Sequence, residues 1–114
     1  MRGAVLLAAV ALAACSKGPQ ADLQYISAAR SLSAEWALVN EQAAQGKLTG
    51  AYVAAMRTSL REQVQAKAKA LTQPDSDDGR EIQAIVAEPV GARPAALRAH
   101  SDKLKKIEDA LESP

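Results

Sequence analysis

The sequence predicts a small all-α protein, folded as an antiparallel helical bundle. Three observations carry this. Apolar residues recur every three or four positions over three long stretches. Glycine and proline fall between those stretches rather than inside them. No run alternates β-branched and polar residues in the manner of a strand.

The first helix is expected over 22–45. Tyr25, Ala29, Leu32, Trp36, Val39 and Ala43 are spaced alternately four and three apart, a seam of the heptad type. Ile26 and Leu38 are expected to widen it. Asp22 suits the start, as a cap or as a charge on the positive helix end. Gly46 suits the stop. Thr49 is a good N-cap for a second helix, with Leu48 and Val53 placed as a hydrophobic staple. Residues 46–49 are then a tight connection, and the two helices antiparallel neighbours. The second seam is Val53, Met56, Leu60, Val64, Ala68 and Leu71, reaching about Thr72 with Pro74 as the stop.

"PDSDDG" (74–79) reads as an acidic turn. Asp78 and Glu81 have capping-box spacing for a short connector helix over 79–87, with Ile82, Ile85 and Val86 on its apolar face. Pro94 suits the first position of a C-terminal helix over 94–111, whose seam is Leu97, His100, Leu104, Ile107 and Leu111. The core is thin, because phenylalanine is absent and alanine buries little area. Trp36 is expected to be its largest single contribution.

The first fifteen residues have a different grammar. Met1-Arg2-Gly3 is a short basic start, and Ala4–Ala14 is an unbroken apolar run. Eleven residues fall short of the roughly 20 that a spanning helix needs. A charged start, a short apolar run and small residues before a break are the pattern of a secretory signal peptide. Leu12-Ala13-Ala14-Cys15 resembles the lipobox of bacterial lipoproteins. The resemblance implies cleavage between Ala14 and Cys15, a diacylglyceryl group on the Cys15 sulfur, and a fatty acyl chain such as palmitate on the new amino group. It divides the chain into a signal peptide (1–14), a lipidated Cys15 with a flexible tether (15–21) and a helical domain (22–114). Several acyl chains anchor stably. The only cysteine is consumed by lipid, so no disulfide is expected. By resemblance to enteric lipoproteins, Ser16 in place of Asp directs the protein to the outer membrane, on its periplasmic face.

The charges nearly cancel, 14 basic against 13 acidic, and loss of Arg2 makes them equal. Nothing in that balance suggests nucleic acid. Residues 47–73 are mostly basic and 74–88 mostly acidic, which pairing within the fold or a solvated face would explain. The acidic turn fails as a calcium loop. Counted from Asp75, Gly79 is fifth and Val86 twelfth, where such a loop wants Gly sixth and an acid twelfth. His100 is the only histidine, so no zinc site can be completed, and a half-buried, hydrogen-bonded core role is expected. Trp36, Tyr25 and Tyr52 are candidates for core or for a pocket lining. No catalytic motif or metal-ligand set is present, and neither an enzyme nor a cofactor is expected. The expected role is a membrane-anchored interaction or accessory module with a protein partner or a second copy. A carrier of a small apolar ligand near Trp36 and a homo-oligomeric spacer are the alternatives.

Overall fold

A computed structural model describes residues 19–113. The signal peptide, the lipobox and Cys15 lie outside the described residues. One turn of 3-10 helix, Pro19–Asp22, leads into four α-helices: α1 (Leu23–Ala44), α2 (Gly50–Ala70), α3 (Asp77–Ala87) and α4 (Pro94–Glu112). That turn includes the last three residues read as tether. The fold is the all-α bundle expected, a helical hairpin followed by a short connector and a C-terminal helix. The described residues contain no strand.

α1 is the axis of the molecule and packs on every other element. It therefore buries more than one seam. Ile26, Ala29, Trp36, Ala37 and Val39 are buried, and so are the polar Ser33 and Asn40. Tyr25, Leu32 and Ala43 pack on the edge of this core. Leu38 is 51 % exposed and does not widen the seam. It faces away from both neighbouring helices, because two helices on one axis still leave a solvent face.

α1 ends in a Schellman motif. Gly46 takes φ +70°, with Gly46 N–H on Ala43 O at 3.0 Å and Lys47 N–H on Gln42 O at 3.0 Å. Thr49 Oγ1 then accepts from Tyr52 N at 3.2 Å and caps α2. α2 lies antiparallel to α1, so that Asn40 meets Arg57 and Asp22 meets Thr72. Val53, Leu60, Val64 and Leu71 form its buried face. The helix stops at Ala70, four residues ahead of Pro74.

Two capping expectations are corrected. Asp22 makes no side-chain cap to its own helix. Its carboxylate is fully buried and accepts from Thr72 N (2.9 Å), Thr72 Oγ1 (3.0 Å) and Gln73 N (3.1 Å). It ties the start of α1 to the residues just beyond the end of α2, whose N–H groups point at it. Asp78 does not cap α3. Ser76 does, its Oγ accepting from Gly79 N at 3.2 Å. The helix therefore begins two residues earlier than the Asp78–Glu81 spacing suggests, and Glu81 is free to serve α4. Gly79 is required there, because a Cβ would run into the Pro74 carbonyl.

α4 starts at Pro94, as expected, and runs antiparallel to α1. Two serines lace them together: Ser33 Oγ donates to Leu97 O (2.7 Å) and Ser101 Oγ to Arg30 O (3.0 Å). Leu97 and Leu104 are fully buried, Ile107 and Leu111 partly. α3 closes the remaining side with Ile82 and Ile85, both fully buried.

Candidate functional site

The polar residues inside the bundle fall into two networks. The first grips the loop between α3 and α4. Trp36 Nε1 donates to Val90 O at 2.9 Å. Asn40 Nδ2 reaches Val90 O (3.2 Å) and Ala92 O (2.8 Å), and its Oδ1 accepts from Arg57 Nε at 2.7 Å. Thus α1 fixes the loop from below, and α2 is keyed to the same asparagine. The loop carbonyls have no helical partners, so side chains must satisfy them.

The second network surrounds His100. Its Nδ1 lies 2.8 Å from Glu81 Oε1, and its Nε2 lies 3.9 Å from Glu88 Oε2. Lys103 Nζ lies 3.5 Å from Glu81 Oε2. A 19 % exposed imidazole between two carboxylates fastens the middle of α3 to α4, with Glu88 of the α3 C-cap nearby. This is the half-buried, hydrogen-bonded role expected for the lone histidine. The neighbouring Ser101 hydroxyl is engaged by Arg30 O. Among the described residues no group of three or more His, Cys, Asp or Glu is placed to hold a metal ion.

Two open grooves lie at opposite ends of the bundle. One, of about 550 Å³, sits where the α1–α2 turn meets the start of α4. Its apolar lining includes Ala43, Leu48, Val53, Ala54 and Pro94. Its charged lining residues are Arg57 and Arg93, and no acidic residue lines it. The N-terminal ends of α2 and α4, at Gly50 and Pro94, add partial positive charge there. The other groove, of about 480 Å³, lies beside the incoming chain and is lined by Gln20, Leu23 and Ser27 with Glu108 and Glu112. Glu108 is held by Arg30, 2.8 Å from its Nε.

The sequence-derived candidates are scattered. Trp36 is fully buried and lines neither groove. Tyr25 packs on the core edge near the entry of α1. Tyr52 is 49 % exposed and joins neither Trp36 nor His100. Ala14 and Cys15 lie outside the described residues. Arg57, Arg93 and Asn40 were not singled out by sequence. Arg57 was visible only as one of several cations in a basic stretch, and the loop that meets it lies far along the chain. No protein-family model, no curated protein and no solved structure matches this chain.

Proposed function

We propose that this protein is a lipid-anchored lipoprotein of the bacterial cell envelope, on the periplasmic face of the outer membrane, whose helical domain serves as an interaction module. The observation that carries the proposal is Leu12-Ala13-Ala14-Cys15 at the end of a short apolar run, a few residues ahead of the first described element at Pro19. In this reading the membrane is held by lipid on Cys15. Among the described residues no helix is long and apolar enough to cross a membrane. The domain supports the second half of the proposal through how its polar groups are spent. Asp22, Asn40, Glu81 and His100 are engaged in tying elements together, whereas the groove at the α1–α2 turn stays open. Such a domain offers a surface for recruitment.

Replacing Cys15 with alanine tests the anchor. The variant should leave the membrane fraction and lose metabolic labelling by fatty acid, while the wild type retains both. A variant that still sediments with membranes would overturn the lipoprotein reading. Crosslinking in the native envelope, then purification in mild detergent, should yield one stoichiometric protein partner.

A further inference from the structure

We infer that the groove at the α1–α2 turn receives a segment of a partner protein that presents an aliphatic side chain flanked by carboxylates. The inference rests on the interaction-module reading and names the chemistry of its partner. The lining dictates the aliphatic part: Ala43, Leu48, Val53, Ala54 and Pro94 offer small, non-aromatic surface. The charges dictate the rest. Arg57 and Arg93 are the only charged lining residues, so the groove has one sign. Arg57 is held by Asn40 through Nε alone, which leaves the terminal nitrogens of its fork for a bidentate carboxylate. Arg93 has an exposed side chain and caps nothing. The two guanidiniums therefore give an apolar groove a specificity that shape alone would not.

Position decides between occupants. Asp22, at the start of α1, is bound to the end of α2, whereas the groove lies at the end of α1, about 33 Å along a helix of 22 residues. In the lipoprotein reading the chain arrives from the membrane at the Asp22 end, and the groove lies at the other end of α1. The acidic groove that would suit a second copy lies at the anchored end. Glu108 of that groove is already paired with Arg30 at 2.8 Å, which leaves Glu112 alone to answer a neighbour's basic groove. A separate protein is the occupant that fits.

The test uses the full-length protein in mild detergent and two fluorescein-labelled dodecapeptides. Both carry Leu at helical i, i+4 spacing, one flanked by Glu and the other by Lys. The Glu peptide should bind at least tenfold more tightly than the Lys peptide. Arg93→Glu should abolish or invert that preference. Because Arg93 precedes Pro94 at the start of α4, a carboxylate there favours the helix, and circular dichroism should show an intact fold. Ala54→Gln, at an exposed helical position, should weaken the Glu peptide by filling the groove. Equal binding of both peptides, no binding of either, or indifference to Arg93→Glu would overturn the inference. So would Arg93-dependent binding to phosphatidylglycerol vesicles without peptide binding, which would give the groove to lipid. Arg93-dependent self-association would give it to a second copy. Any of these leaves the Cys15 experiment standing by itself.

Discussion

Replacing Asp22 with alanine would remove an acceptor shared by three donors, in a position with no access to water. Charge-assisted hydrogen bonds of this kind contribute more than neutral ones, and their loss leaves buried donors unpaired. The expected cost is about 2 kcal/mol, a fall in melting midpoint on the order of 10 °C for a domain of this size. Asp22→Asn, which can still accept, should fall between the two. A melting point within 2 °C of wild type, by the standard of about 4 °C per kcal/mol, would mean that solvent already shares the site. The sequence showed Asp22 only in a local role, as a cap or a charge at its own helix start, because its partners lie 50 and 51 positions away. Ser76, not the expected Asp78, begins α3, where Gly79 lets the chain fold closely over Pro74.

At the scale of elements, periodicity succeeded on the outer helices, whose buried side is one continuous face. The faces of α2 and α4 fall where the spacing put them, Thr49 caps, and Pro94 begins a helix. It did less well on α1. A central helix needs contact on two sides, and the second side is made of Ser33, Ala37 and Asn40, which do not read as a seam. The small residues have a purpose that only the fold shows. Ala29, Ser33 and Ala37 lie buried on α1, and Ser33 and Ser101 reach across to backbone carbonyls of the opposite helix. Reach of that kind requires the helix axes to be close. Ser33→Leu should therefore force α1 and α4 apart and cost about 3 kcal/mol through overpacking and the lost hydrogen bond to Leu97 O. Ser33→Ala loses only the hydrogen bond, about 1 kcal/mol. Chemical denaturation of both variants checks the order. If Ser33→Leu proved no worse than Ser33→Ala, the contact would be looser than the 2.7 Å bond indicates.

At the scale of the whole molecule, the arrangement makes independent sub-bundles improbable. α1 touches every other element, and the loop before α4 is held by Trp36 and Asn40 of α1. The antiparallel hairpin was legible from the short turn at 46–49. That the chain returns α4 onto α1, placing Arg93 on the same groove as Arg57, was not, because charge runs in sequence carry no information about which ends meet. This topology has a thermodynamic consequence. Trp36 is fully buried and is the only tryptophan, so its emission reports the junction of α1, the loop and the core. Far-ultraviolet circular dichroism reports all four helices. If α1 is the shared axis, losing it exposes the apolar face of each of the others, and none has a second partner large enough to persist. The two signals should then follow one urea transition with the same midpoint and the same slope, as two-state domains of this size do. A red shift of Trp36 emission at lower urea than the loss of helicity would instead mean that the α3–α4 loop detaches first, leaving the α1–α2 hairpin standing. In that case Trp36→Phe, which removes the bond to Val90 O, should leave the helical transition in place. With a single cooperative unit, the same substitution should shift both signals together.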